Sequence, residues 1–370
     1  MKHKSSNLIS LTKKLTYFIS ASVFFSLIAC TDHNTEPIVS VKPKTAKPAW
    51  APEIKDEMWA VIEKLLSYGD KPIPTETPEE ARKNHTVKDA VMDLLKENNV
   101  TVPAPMVDTM GKEIPVAGGT IHARVYTPKT GTKPFPVIVY FHGGGWVIAT
   151  IDVYDASAQG LAEKSGAIVI SVEYRKGPEF RFPTAHNDAY ASYLWAIDNA
   201  ASMNGDSKKI AVAGESAGGN LAANVSIMAR DNGKQMPVHQ LLVYPVAGSD
   251  MTTPSYVKFA DAKPLDKPSV VWFLDHFLND VPTESKDTRI DLVHANLAGL
   301  PSTTIISAEI DPLESEGGIL QTKLSDAGVA VTRKLYVGTT HEFFGTAILV
   351  PDAKDAQDYA ASELKKAFGM

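Results

Sequence analysis

The sequence predicts an α/β architecture, a mainly parallel central sheet covered by helices on both faces, and three observations predict it. Short apolar runs alternate with helix-patterned stretches from about residue 135 onward. Two glycine-rich motifs, His142-Gly143-Gly144-Gly145-Trp146 and Gly214-Glu215-Ser216-Ala217-Gly218-Gly219, each directly follow such a run. The composition is 44% hydrophobic and 22% charged over 370 residues, enough for a large globular core.

The first 52 residues stand apart from that pattern. Lys2, Lys4, Lys13 and Lys14 form a basic head without an acid, and Leu15 to Ala29 is a mostly apolar run of about fifteen residues. That is short for a transmembrane helix of about twenty and suits the apolar region of a signal peptide, assigned to residues 1–29. Cys30 follows and is the chain's one cysteine, so an intrachain disulfide and a cysteine metal cluster are both excluded. Residues 30–52 contain Pro37, Pro43, Pro48 and Pro52 with lysines and threonines, and are expected to be a flexible tether.

Residues 53–370 are expected to form the folded domain. Met58, Ile62 and Leu65 recur at helical spacing, as do Val87, Val91 and Leu94-Leu95, with Pro72, Pro74 and Pro78 between the two halves. This helical segment, about 53–100, precedes the sheet and can serve as a cap. Ile114–Val116 and Thr120–Tyr126, separated by Gly118-Gly119, read as an antiparallel hairpin. Strands are then expected at 137–141, 167–172, 209–213, 240–244, 303–308 and 331–337. Helices are expected near 154–165, 184–200, 218–230, 315–326 and 353–367. The insertion at about 250–295, with Val270-Val271-Trp272-Phe273-Leu274, can be a second piece of cap or can simply pack on the body.

The chemistry gathers after three strands. Ser216 sits among small residues that permit a sharp strand-to-helix turn, and the following helix points its N-terminus at the site. A hydroxyl becomes a useful nucleophile only with a base in reach and a partner that orients the base. In the order serine, acid, histidine, Asp311 is the acid, after the strand near 303–308, with Glu309 its competitor. His341 is the base, the last of ten histidines and the only one after Asp311. An oxyanion needs preorganised N–H donors. Ala217 is one, and the glycine run supplies the others, Gly144 and Gly145 or, shifted by one, Gly143. His85, His122, His186, His239, His276 and His294 are scattered and expected to be surface or packed. No metal-ligand spacing, P-loop or dinucleotide fingerprint is present, so no cofactor is expected. Net charge is −6, near −10 beyond the basic head, which argues against nucleic acid.

Taken together these residues resemble the bacterial hormone-sensitive-lipase-like esterases of the α/β-hydrolase fold. The likeness spans about 55–368 and rests on His142–Trp146, Tyr174-Arg175, Pro178-Glu179, Phe182-Pro183, Asp188, the serine elbow, Asp311-Pro312-Leu313 and His341. In that family the Tyr174–Asp188 stretch braces the oxyanion loop. The resemblance implies hydrolysis of short- to medium-chain acyl esters through Ser216, Asp311 and His341. Deacetylase, amidase or acyltransferase chemistry with the same triad is the alternative, and a non-catalytic ligand-binding role a further one. The chain departs from the family at Glu215, where Asp is commoner, and at Glu342, where Gly is frequent and little consequence is expected. Larger type-B carboxylesterases share Gly-Glu-Ser-Ala-Gly but are much longer and usually use Glu as the acid. Leu27-Ile28-Ala29-Cys30 resembles the lipobox of bacterial lipoproteins. That likeness implies cleavage before Cys30, lipid on Cys30 and anchoring to a membrane, the outer one in a Gram-negative cell because Thr31 follows. Secretion or a periplasmic location is the alternative. Protein partners are left open.

Overall fold

Among the described residues eight strands form one sheet, in the order β1 (Val107–Val116), β2 (Gly119–Pro128), β4 (Ile168–Val172), β3 (Phe135–Phe141), β5 (Gly205–Glu215), β6 (Gln240–Val243), β7 (Thr303–Ile310) and β8 (Val331–Thr340). A computed structural model describes residues 41–370 of the chain. The assignments to the signal peptide and Cys30 lie outside the described residues. Strands β1 (Val107–Val116) and β2 (Gly119–Pro128) make the expected hairpin, and β2 runs antiparallel to β4 (Ile168–Val172). Strands β3 (Phe135–Phe141), β5 (Gly205–Glu215), β6 (Gln240–Val243), β7 (Thr303–Ile310) and β8 (Val331–Thr340) continue the sheet in parallel. Parallel strands bury both faces, which is why these segments read as continuous apolar runs.

The side-chain period of two sorts each strand between two cores. Val137, Val139 and Phe141 of β3 face one core with Ile168, Ile170, Ile210 and Val212. Helices α5 (Thr184–Asn199), α6 (Ala217–Asp231) and α10 (Glu314–Asp326) close that side. Ile138 and Tyr140 face the other core with Val169, Ala211, Ala213 and Ile306. There α4 (Asp155–Ser165) and α11 (Pro351–Phe368) cover the sheet. Each large apolar side chain buried between helix and sheet contributes about 1.5–3 kcal/mol, which holds the helices in place.

The N-terminal segment forms α1 (Asp56–Ser67), α2 (Pro78–Ala81) and α3 (Val87–Glu97), with a 3₁₀ turn at Ile73–Thr75 between the first two. Thr77 and Thr86 each close a capping box, with Glu80 and Asp89 respectively, and so fix where α2 and α3 begin. The insertion forms α7 (Pro254–Lys258), α8 (Lys267–Phe277) and α9 (Val281–Glu284). The two segments meet: Trp272 Nε1 on α8 donates to the Glu76 carbonyl at 3.0 Å. Helix α8 packs on the body and also lines the cavity that holds Ser216.

The tether expected over residues 30–52 is corrected for its described part. Val41 and Ala51 are buried, Trp50 meets Trp59 edge-on, and the Lys44 N–H donates to Glu63 at 2.7 Å. Prolines suppress regular structure but do not prevent an extended segment from docking when its few apolar residues find a helix face. Among the described residues no helix is long and apolar enough to cross a membrane.

Candidate active site

The strand order reverses around β3: β4 lies on one side of it and β5 on the other. Loops leaving the carboxyl ends of such strands diverge and leave a crevice. The glycine run leaves β3 and the serine turn leaves β5, so the two motifs are neighbours by topology.

Ser216 has φ +55° and ψ −120°, a region that costs a non-glycine residue about 1–3 kcal/mol. The turn is held from several directions. The Ser216 N–H donates to the Val243 carbonyl at 2.9 Å, and its own carbonyl accepts from Asn220 and Val246, each at 3.1 Å. The turn is also too tight for side chains around it. A Cβ on Gly214 would lie 2.1 Å from the Gly218 carbonyl oxygen, and one on Gly218 would lie 2.0 Å from that of Phe141. Helix α6 begins at Ala217, so its N-terminal amides and the positive end of its dipole are at the serine.

Asp311 follows β7 directly and has no exposed surface. Its Oδ2 lies 2.7 Å from His341 Nδ1, and its Oδ1 accepts the Leu313 N–H at 2.9 Å. Glu309 does not compete for the imidazole; its carboxylate accepts the Gly338 N–H at 2.8 Å. Burial works against a charged imidazole at His341. Asp311, and behind it Glu342 and Glu215, outweigh that and raise His341 above the ordinary histidine value.

Ser216 and His341 line one cavity of about 400 Å³, together with Gly144 and Gly145. Gly144 and Gly145 have φ of +97° and +58°. A Cβ on Gly145 would collide with the Phe273 ring of α8, 2.2 Å from Cγ. Among the described residues the N–H groups of Gly144, Gly145 and Ala217 donate to no protein acceptor. Gly143 sits deeper: the Tyr174 hydroxyl and His142 Nδ1 both contact its carbonyl, at 3.3 and 2.8 Å. The walls come from both cap segments, with Leu65, Leu66 and Ile73 from one and Leu265, Val270 and Phe273 from the other. Arg82, at the end of α2, ties cap to site by donating to the carbonyls of Val147 and Gly177 and pairing with Glu179.

The braces expected between Tyr174 and Asp188 are present. Asp188 is buried and accepts both the Arg175 guanidinium and the Arg175 N–H. Glu215 is buried too, and accepts the hydroxyls of Tyr140 and Tyr244; burial pushes its carboxyl up, and those hydroxyls offset part of the rise. Neither tyrosine was among the candidate site residues, because each reads in sequence as one more apolar position on a strand. Of the other histidines, His186 and His239 are buried while His85, His122 and His294 are on the surface.

Comparison with known proteins agrees with this fold. Residues 138–345 match the model of a family described by its alpha/beta hydrolase fold. The chain belongs to that α/β-hydrolase family. Within the family, it is 38% identical over 250 residues to the carboxylesterase NlhH of Mycobacterium tuberculosis, covering 67% of this chain and 78% of the relative. It is 31% identical over 243 residues to an ethyl acetate hydrolase of Pseudomonas putida, covering 64% and 76%. Among solved structures, a thermostable esterase from Pseudomonas putida ECU1011 superposes with a TM-score of 0.78 at 32% identity, covering 86% of this chain and 98% of that one. EstE1, a thermostable carboxylesterase from a metagenomic library, gives 0.72 at 36% identity, covering 80% and 98%.

Proposed function

We propose that this protein is a carboxylic ester hydrolase working through an acyl-enzyme on Ser216. The observation that carries the reading is one cavity holding the Ser216 hydroxyl, the His341 imidazole backed by buried Asp311, and the unpaired amides of Gly144 and Gly145. Esterase relatives across the family support it.

In the first half, His341 Nε2 takes the Ser216 proton as Oγ attacks the ester carbonyl. The carbonyl oxygen becomes an oxyanion held by Gly144, Gly145 and Ala217 N–H groups, with the α6 dipole behind them. Gly143 is less suited, since it does not line the cavity and packs against Tyr174 and Tyr154. His341 then protonates the departing alcohol. In the second half it deprotonates a water, which attacks the acyl-serine and releases the acid. No step calls for a cofactor. The largely apolar cavity, walled by both cap segments, suits short- to medium-chain acyl groups.

The test is hydrolysis of p-nitrophenyl esters from acetate to palmitate, beside Ser216→Ala. The expected result is strong turnover from acetate to hexanoate that disappears in the variant. Folded protein inactive on every ester sinks the reading and moves weight to amide cleavage or ligand binding.

The lipobox-like run supports a second, separate proposal: export, lipid attachment at Cys30 and membrane anchoring. Cys30→Ala in the full-length chain is expected to move the protein from the membrane to the soluble fraction. An unchanged distribution contradicts lipidation at that cysteine.

A further inference from the structure

Glu342 and Tyr154 are 188 residues apart in sequence, yet they join the two loops on which the site depends. Glu342 directly follows His341 and lines the same cavity as Ser216. Its backbone has φ +64° and ψ +12°, a left-handed conformation that glycine adopts freely and glutamate only with strain. Its Oε1 accepts the Tyr154 hydroxyl at 3.0 Å. Tyr154 is buried just before α4, and the same hydroxyl lies hard against the glycine run: a Cβ on Gly143 would be 2.3 Å from it. One hydroxyl thus touches both the residue after the base and the loop with the oxyanion donors. Strain at such a point persists when the surrounding contacts over-determine it.

We propose that Glu342 is a positioning residue for ester cleavage, an inference that rests on Ser216 being the nucleophile. Through the Tyr154 hydroxyl, its carboxylate sets the spacing between His341 and the Gly143–Gly145 run. Its charge also steadies the imidazolium that forms when His341 takes the serine proton. The titratable groups facing Glu342 are His341 beside it, Tyr154 before α4, Glu215 at the end of β5 and Tyr244 after β6. Burial pushes the Glu342 carboxyl up, and His341 and Tyr154 offset part of that. Glu215 adds like charge from below, but its own carboxylate is already engaged by Tyr140 and Tyr244. Glu342 is therefore the nearer acid whose removal the imidazole should feel.

The experiment compares the wild-type full chain with Glu342→Gln, Glu342→Gly, Tyr154→Phe and the Glu342→Gly/Tyr154→Phe double variant on p-nitrophenyl butyrate. Glu342→Gly and Tyr154→Phe are each expected to lower kcat about 3–10-fold, as loss of one hydrogen bond does, with KM within about twofold, whereas Glu342→Gln keeps an acceptor oxygen for Tyr154 and removes only the charge. The double variant is expected to lose no more than the worse single one, because both remove the same link. Glu342→Gln is expected to move the acidic limb of kcat/KM to lower pH. Glu342→Gly fits the left-handed backbone, so it is expected to lose kcat while keeping or raising Tm, which separates the carboxyl's role from folding. Additive losses in the double variant, an unmoved acidic limb, or wild-type kcat in Glu342→Gly would each overturn the proposal. A wild type inactive on all esters is a different failure, that of the esterase reading beneath it.

Discussion

His341 Nδ1 lies 2.7 Å from Oδ2 of Asp311, whose carboxylate is wholly buried and pinned on its other oxygen by the Leu313 N–H. An acceptor at that place keeps the imidazole proton on Nδ1 and leaves Nε2 free to receive one. The orientation of the His341 imidazole is thus built into the end of β7 and needs no substrate to form.

Asp311→Asn keeps the shape but presents the wrong hydrogen-bonding pattern to the imidazole. Its kcat on p-nitrophenyl butyrate is expected to fall about 10³–10⁴-fold. Glu309→Gln, which touches only the Gly338 N–H, is expected to stay within about twofold of wild type. The reverse ranking would transfer the acid's role to Glu309.

In the proposed mechanism His341 must be neutral to accept the serine proton. Its pKa is raised by Asp311, Glu342 and Glu215 against the opposing effect of burial. Activity is therefore expected to fall as pH drops through a midpoint above about 6.5, the ordinary histidine value. A kcat/KM profile still flat at pH 5.5 contradicts this.

His142, His186 and His239 are held down at about 4 by burial. Below about pH 6.5 the unfolded chain takes up protons that the folded chain refuses, so stability is lost as pH falls from there towards 4. His341 has the opposite sign: its contribution is full below about pH 6.5 and is lost as pH rises through its raised value. Calorimetry from pH 7 to 4 is expected to show a falling Tm, with a shallower fall in His239→Gln. Equal slopes in the two proteins would remove His239 from the cause.

Phe273 of α8 lies over Gly145 and helps to close the cavity. Phe273→Ala is expected to raise the octanoate-to-butyrate ratio of kcat/KM about tenfold, since one or two methylenes of room are worth that much. An unchanged ratio would place the chain-length limit elsewhere in the cap.

The fold was readable in sequence, and Ser216, Asp311 and His341 stood out as candidates, because each has a local signature. A β-like run ending in Gly-Glu-Ser-Ala-Gly-Gly fixes strand, turn and helix at once, and the parallel strands announce themselves as unbroken apolar runs such as Val137–Phe141. Glu309 and Asp311 lie two residues apart at the end of one strand, where alternation does not tell them apart; their contacts do, Asp311 with His341 and Glu309 with the Gly338 N–H. The docking of residues 41–52 was hidden since a handful of contacts, such as Trp50 on Trp59, outweighs a disordered-looking composition. The Tyr154–Glu342 link was hidden for another reason: no local pattern relates positions on separate loops, and Glu342 in sequence is merely a glycine replaced.

The most direct test of the central claim is labelling with a small reactive organophosphonate, followed by peptide mass spectrometry and activity assay. The expected result is one adduct per chain, on Ser216, with hydrolysis lost in proportion to labelling. An adduct on a different residue, or full activity with Ser216 labelled, would contradict Ser216 as the nucleophile.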